Sequence, residues 1–542
     1  MKQNDLPKVA YFCMEYGLNH EFPIYSGGLG ILAGDHLKSA GDLKVPLVAV
    51  GILWRQGYTE QRIGPDGRPY DIFTDHSYDF LEDTGVKVNV TVRGNQVTCK
   101  VWKTEHFGNA PLYLLDTNLP ENEEPWITDR LYSGSGDDRI AQEIVLGIGG
   151  IRALRALGIL PDVYHFNEGH AVLAGIELIR EKMTQGLDFK AAWEKTRQEI
   201  VFTTHTPVPA GNESHTLAAL EYVGAFNGLT AEQMKAIGGN PFNMTVAGLR
   251  LSRLANAVAQ LHGKTACKMW ANVKDAAPII AITNGVHPGT WQNPAIRQAF
   301  ADGASLWEPH QKAKRLLIQE IEKQTGVKLH EDKLLIGFAR RAAAYKRADL
   351  IFRNESIIKP LLEQGQIQLV FSGKAHPQDG IGKDLVARTV AMAKRYPKSV
   401  VFIENYDMRI GRLLTQGCDV WLNNPQRPLE ACGTSGMKAA MNGVLNLSIL
   451  DGWWPEGCEH GVNGWQIGNA YEGPGQDEND LKSLYQTLTK EVLPTYYGQK
   501  DMWERMMRAS IKMSEYFSSH RMVEEYYERL YRPNNSEMAC NA

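Results

Sequence analysis

The stretch PLEACGTSGMKAAMNG, residues 428–443, sets one lysine, Lys438, behind a run of small residues, with Glu430 eight positions upstream. Gly433, Thr434, Ser435 and Gly436 at a helix start would offer several free backbone N–H groups, enough to hold one phosphate. Lys438 would then lie in the first turn or so, beside that phosphate. Two chemistries fit this layout. The lysine either carries pyridoxal phosphate as a Schiff base, or it binds the phosphate of an ordinary nucleotide-sugar enzyme.

A second loaded stretch, ARRAAAYKR, places Arg340 and Arg341 at a strand end, with Lys346 and Arg347 about one helical turn further on. Guanidinium forks and an ammonium suit a small dianion; the competing reading is a solvated helix start. Positive charge opposes the dipole at a helix N-terminus, so two arginines there point to an expected anion. In YSGGLGILAGDHLKSAGDL, Gly27, Gly28 and Gly30 directly precede a helix. That is a generic anion cradle or a packing turn, and it is not a G-x-G-x-x-G dinucleotide fingerprint.

His170 and His205 read as structural or substrate-orienting groups, since no H-x-x-x-H or cysteine–histidine spacing supports a metal site. No G-x-S-x-G nucleophile elbow occurs. Glu15, Glu168 and Glu430 leave open a hydrolase's acid pair, whose separation a sequence does not give.

These residues need a scaffold that brings strand ends together. Short apolar runs alternate with helical ones: VAYFCME, LVAVGIL, PLYLLDTN, DVYHFNEG, IVFTTHT and IIAITNGV, then LLIGFARR, IQLVFSGKA, VVFIENY, CDVWLNN and VLNLSILDG. Near-continuous apolar strands separated by helices are what a doubly wound parallel sheet needs. VKVNVTVRGNQVTCKVWKTE (86–105) departs from this, its two alternating runs around Arg-Gly-Asn-Gln predicting a β-hairpin. The expectation is an α/β chain of two Rossmann-like domains, 1–291 with the hairpin insertion and 292–542 with Lys438, facing a central cleft. The last helical stretch, 501–531, could pack back on the first domain. The loaded residues fall at strand ends: Asn167, Glu168 and His170 after DVYHF, His205 after IVFTT, Asn284 after IIAIT, Arg340 and Arg341 after LLIGFA, and Glu430 just past CDVWLNN.

At 542 residues the chain is too long for one small core, and 43% hydrophobic with 22% charged residues fits a soluble globular protein. A net charge of −4, with both signs mixed along the chain, argues against a nucleic-acid partner. Seven scattered cysteines without a CxxC pair read as reduced thiols of a cytoplasmic protein. The start carries no long apolar run, and IVLGIGGIRALRALGIL, with two arginines, reads as a buried amphipathic helix and not a membrane span.

EACGTSGMKAAMNG resembles the cofactor-lysine motif of the α-glucan (glycogen, starch, maltodextrin) phosphorylases, which reads E-A-S-G-T-G-N-M-K in the long animal and plant enzymes. MEYG, SGGLG, NEGH, FTTHT, ITNGVHPGTW, RRAAAYKR, FSGKAHP and FIENY agree in the same order, so the resemblance runs from about residue 8 to about 470. It implies the GT-B architecture and a hexosyltransferase dependent on pyridoxal 5′-phosphate. Lys438 would hold the cofactor as a Schiff base, and Arg340, the N–H groups of Thr434 and Ser435, and Gly28 would hold its phosphate. Tyr16, Tyr406 and Trp291 would line the cofactor, while Arg341 and Lys346 would grip the substrate phosphate. His205, Asn284, Glu430, Cys432 and Gly433 would contact the glucose unit being released, with Glu168 and His170 toward the next sugar.

The implied reaction is retaining phosphorolysis of α-1,4-glucans at the non-reducing end, giving α-glucose 1-phosphate. Two phosphates held close together share a proton, and the cofactor phosphate assists inorganic phosphate as it protonates the glycosidic oxygen. The catalytic set would be Lys438, Arg341, Lys346 and His205. Partners would be an α-glucan and inorganic phosphate, with no nucleic acid or membrane and with room for a homodimer.

Cys432, Ser435-Gly436 and Ala343-Ala344 depart from the long enzymes, which carry Ser, Gly-Asn and His-Glu there. With the start almost directly on its first strand, the chain looks like a compact bacterial type. The competing readings are a GT-B glucan synthase using a nucleotide sugar and a non-catalytic glucan-binding homologue.

Overall fold

A computed structural model of the chain describes residues 5–208 and 211–532. The protein is mixed α/β and divides into two compact units. The first holds the chain up to Tyr58, Phe73–Thr283 and everything from Ser519 on; the second holds Thr59–Ile72 and Asn284–Ser518.

The first unit is built on a nine-stranded sheet. Its strands run in the order Ile279–Ala281, Leu254–Ala257, Ile200–Thr203, Val163–Asn167, Val9–Phe12, Leu47–Ile52, Leu112–Asp116, Asn95–Thr104, Glu82–Val92. The first seven are parallel and the last two antiparallel. Strand order reverses between Val9–Phe12 and Val163–Asn167, the switch point at which an open α/β sheet forms its crevice. The expected hairpin forms with Val92 opposite Asn95. Arg93 (φ 50°) and Gly94 (φ 80°) both take positive φ, as a two-residue turn matched to strand twist requires.

The second unit carries six parallel strands in the order Val400–Ile403, Ile367–Ser372, Leu334–Ala339, Val420–Asn423, Leu445–Ile449, Gly464–Ile467. Numbered along the chain this is 3-2-1-4-5-6, the dinucleotide-fold order, with its switch point between Leu334–Ala339 and Val420–Asn423. Successive side chains feed separate cores: Leu334, Ile336 and Phe338 enter one, Leu335 and Ala339 the other. Both faces are covered, which is why LLIGFA reads as an unbroken apolar run.

Some expectations need correction. The basic run does not begin a helix: Ala344–Lys346 is a single 3-10 turn, a second follows at Leu350–Phe352, and the α-helix starts only at Glu355. Arg347 ends the first turn with φ 53° because its guanidinium is drawn to the carbonyls of Asn424 (2.9 Å) and Pro425 (2.7 Å). The unit boundary lies between Thr283 and Asn284, not at 291; Trp291 goes with the second unit because Asn442 Nδ2 donates to its carbonyl (3.0 Å). The final helical stretch breaks at Ser518, which is extended, and the chain from Ser519 on belongs to the first unit. There Tyr531 hydroxyl meets His165 Nδ1 (2.8 Å) and Asn256 Nδ2 donates to Tyr526 hydroxyl (3.0 Å). IVLGIGGIRALRALGIL is not one regular α-helix, since Val145–Gly149 forms a π-turn between Gly136–Ile144 and Gly150–Ala156.

Strands Leu254–Ala257 and Gly464–Ile467 were not foreseen; Ala, Asn and Gly carry little strand preference, and these segments are fixed by their parallel neighbours. Cys13, Cys99, Cys418, Cys432 and Cys458 are free. Cys267 is disulfide-bonded, so the reading of every cysteine as a reduced thiol does not stand. Among the described residues, no helix is long and apolar enough to cross a membrane.

Candidate active site

In the second unit the loaded residues gather at the switch point. Arg340 follows the strand Leu334–Ala339, and its Nη1 lies 2.7 Å from Glu430 Oε2. Lys346 Nζ reaches the same oxygen at 2.5 Å. Arg340 also donates to Asn423 Oδ1, at the end of the neighbouring strand Val420–Asn423. Two buried cations therefore share one buried carboxylate.

The electrostatics follow from that imbalance. Burial, and then the charge of Arg340, bring the Lys346 ammonium down to about 7. Burial pushes the Glu430 carboxyl up, but Arg340 and Lys346 outweigh it and hold it below its ordinary range. Asp451 accepts the Glu430 N–H at 2.9 Å and the Gly452 N–H at 2.8 Å; burial and the nearby Glu430 charge raise it to about 7. Arg341 is exposed and helps line a cavity with Arg340, Lys346, Ser372, Gly373 and Thr389.

The turn after Glu430 brings the chain back over this cluster. Gly433 has φ 79°, and a Cβ there would meet Glu430 Cγ at 3.2 Å and Arg340 Nη2 at 3.4 Å. Only glycine takes that conformation at little cost beside those groups. Cys432 is buried and its carbonyl accepts the Trp453 N–H at 3.0 Å. Thr434 immediately precedes the short helix Ser435–Ala440 without a side-chain cap, and Ser435 Oγ accepts from Trp421 Nε1 at 3.1 Å. Lys438 is buried in that helix with Nζ 3.8 Å from the Trp291 ring centroid. Asn284 is buried in the same unit. Tyr406 lies near Arg340, whose charge opposes the rise that burial gives its hydroxyl, to about 12.

The first unit assembles a second group at its own switch point. His205 Nε2 lies 2.6 Å from Asn167 Oδ1, while Asn167 Nδ2 donates to Cys13 Sγ at 3.4 Å. That orientation of the amide puts the His205 proton on Nε2. Burial lowers the imidazole to about 3, so it is neutral at ordinary pH. Glu168 adopts φ 77° and accepts from Gly169 N (3.0 Å), His205 N (2.8 Å) and Thr206 Oγ1 (3.4 Å). Burial still raises its carboxyl above the usual range. A non-glycine residue in left-handed backbone, held by its own side chain, is strain of the kind found at functional sites.

Not every expected residue joins these groups. Arg347 was weighed with the basic run, yet it is committed to Asp477 (2.8 Å), Asp480 (2.8 Å) and two carbonyls. Tyr16 is fully buried and its hydroxyl donates to Val50 O at 2.7 Å. His170 points to Tyr132, with ring centroids 5.5 Å apart, and burial lowers it to about 3. Gly28 begins the helix Gly28–Leu43 with open space where a Cβ would stand.

Sequence reasoning missed the supports Asp451 under Glu430, Asn423 beside Arg340 and Asn442 behind Trp291, and it weighed Glu15 only as one of a possible acid pair. Glu15 accepts from Ser26 N (2.5 Å), Gly27 N (3.2 Å) and Tyr132 hydroxyl (2.7 Å), so it shapes the glycine loop. Its place just after a buried strand was the available signal.

A family model for carbohydrate phosphorylase matches residues 299–456, the span that holds Arg340, Glu430 and Lys438. A maltodextrin phosphorylase of Thermococcus litoralis is 41% identical across 96% of this chain and 70% of its own length. The chain belongs to the carbohydrate phosphorylase family. Glycogen phosphorylases of Mycobacterium tuberculosis (40% identical, 97% of this chain, 71% of that one) and Aquifex aeolicus (36%, 96% and 86%) are further relatives. As a carbohydrate phosphorylase, the chain carries its family match on the unit where the cation cluster and Lys438 lie.

Proposed function

We propose that this phosphorylase removes glucose units from the non-reducing end of α-1,4-glucans (glycogen, starch or maltodextrin) as α-glucose 1-phosphate, with retained configuration. The observation that carries the reading is the charge excess at the second switch point, where Arg340 and Lys346 are buried around the single carboxylate of Glu430. A buried positive excess is costly unless an anion arrives to balance it. The relatives named glycogen and maltodextrin phosphorylases support the same substrate class.

The residues fit pyridoxal 5′-phosphate. Lys438 is buried against an indole, and the bare Gly433 turn stands beside the Arg340 guanidinium. When bound, the cofactor supplies a second phosphate that shares a proton with the substrate phosphate. Lys438 would anchor it; Arg340, the N–H groups of Thr434 and Ser435, and Gly28 would hold its phosphate, and Tyr16, Tyr406 and Trp291 would enclose it. Arg341 and Lys346 would bind inorganic phosphate and stabilise the charge that develops on it. His205, neutral and with its proton on Nε2, would present Nδ1 as an acceptor to a hydroxyl of the departing glucose. Asn284, Glu430, Cys432 and Gly433 would complete that subsite, with Glu168 and His170 toward the next sugar. The GT-B cleft between the two Rossmann-like domains, a cytoplasmic setting and a homodimer belong to the same proposal.

Borohydride reduction of the purified protein, peptide mass mapping and a phosphorolysis assay test it. A pyridoxyl phosphate adduct on Lys438 together with glucose 1-phosphate release is the expected result. An unmodified Lys438 in folded protein supplied with pyridoxal phosphate would move the reading to a nucleotide-sugar glucan synthase or a glucan-binding homologue.

A further inference from the structure

In the first unit, the helix Gly136–Ile144 and the segment leading into the short strand Ser214–His215 bring Glu143, Glu213 and His215 together. Glu143 is fully buried, and no hydrogen-bond donor reaches either of its carboxylate oxygens. His215 is 8% exposed, and its Nε2 likewise makes no hydrogen bond. These unpartnered atoms face one another: His215 Nε2 lies 3.4 Å from Glu143 Oε2 and 3.5 Å from Glu213 Oε1. All three donor groups fall within 4.8 Å.

Such spacings are too long for hydrogen bonds of good geometry. They match the edge of a coordination tetrahedron: ligand bonds of about 2.0–2.2 Å place adjacent donors roughly 3.3–3.6 Å apart. The surrounding charge points the same way. Arg139 is the cation beside the cluster, its Nε 3.8 Å from Glu213 Oε1, and His170 Nε2 is 3.8 Å from Glu213 Oε2. One guanidinium stands against two carboxylates, Glu143 fully buried and Glu213 half-buried.

We propose that Glu143, Glu213 and His215 form a binding site for a divalent cation of the zinc type. One imidazole and two carboxylates suit a borderline first-row ion better than Mg²⁺ or Ca²⁺, which prefer all-oxygen shells. The ion would pin the strand Ser214–His215 to the helix Gly136–Ile144, a short way along the chain from His205. The site joins residues some seventy positions apart, which is why no local spacing announced it.

The test uses the full chain, stripped with a chelator and titrated calorimetrically with Zn²⁺. One equivalent per chain is expected. Affinity should fall roughly a hundredfold or more in Glu143→Gln and in His215→Ala, since even outer-shell changes cost about 10–100-fold. Mg²⁺ in excess should not compete. Co²⁺ added to the wild-type chain gives a reading free of any folding defect in the variants: an intense visible absorption of tetrahedral Co²⁺ supports the site. Zn²⁺ binding equally well in wild type and Glu143→Gln, or no such Co²⁺ band, would overturn the proposal and leave two carboxyls that share a proton.

Discussion

Lys438 Nζ lies 3.8 Å from the centre of the Trp291 ring, and Asn442 holds the two together from behind. Asn442 Nδ2 donates to the Trp291 carbonyl at 3.0 Å and to the Lys438 carbonyl at 2.8 Å. The ammonium is thus held against an aromatic face on rigid backbone, and its removal should cost chemistry more than fold. Lys438→Ala is expected to abolish both phosphorolysis and the borohydride adduct while the far-UV circular dichroism is retained. A measurable rate in that variant would refute the assigned role.

Arg341 and Arg347 lie six residues apart and should behave as opposites. Arg341 is exposed, so Arg341→Ala should change stability by no more than about 0.5 kcal/mol. It should raise KM for phosphate by about tenfold or more with little effect on glucan affinity, because a charge-assisted contact is worth about 1.5–3 kcal/mol. Steady-state kinetics with each substrate varied in turn decides this.

Arg347→Ala removes a buried guanidinium from Asp477, Asp480 and two carbonyls. Leaving Asp480 buried without its partner should destabilise the second unit by about 3–5 kcal/mol. Thermal unfolding should show a lowered midpoint, with KM for phosphate unchanged in the protein that remains folded.

Lys346 gives a pH dependence whose sign is fixed. A lysine brought down to about 7 is charged below that pH and loses its charge as pH rises through it. Asp451, raised to about 7, gains negative charge over the same range. Both changes weaken the grip on an anion, so kcat/KM for phosphate should fall on the alkaline side of about 7. Lys346→Arg keeps its charge and should carry the fall to higher pH. Superimposable profiles would take the lysine out of the account.

Gly433→Ala forces a side chain into φ 79° and sets a methyl group 3.2 Å from Glu430 Cγ. The backbone alone costs about 1–2 kcal/mol. Affinity for pyridoxal phosphate, followed by its absorbance on titration of stripped protein, should drop by about tenfold or more.

The strands that seat the site were legible because both faces of a parallel sheet are covered, and runs such as LLIGFA and IQLVFS then have to be apolar throughout. Arg340 and Glu430 were legible because they sit at or just beyond strand ends near a reversal of strand order. What stayed hidden depends on tertiary partners. Asn423 and Asp451 look like ordinary polar residues until Arg340 and the Glu430 N–H are placed against them. The helix expected after the basic run was overruled by Arg347, whose side chain is worth more among carbonyls 77 and 78 positions ahead than in a local turn. Leu254–Ala257 is a strand only because its neighbours are.

The first unit borrows its last buried hydroxyls from the end of the chain. His165 and Asn256 find Tyr531 and Tyr526 there, both at most 2% exposed. Synthesis therefore presents the nascent first unit with His165 Nδ1 still short of its tyrosine partner while the whole of Asn284–Ser518 is being made. The first unit therefore completes its packing only after the second has been made. The earlier-made half is finished last, so a ribosome that stalls anywhere in the second unit leaves both halves incomplete.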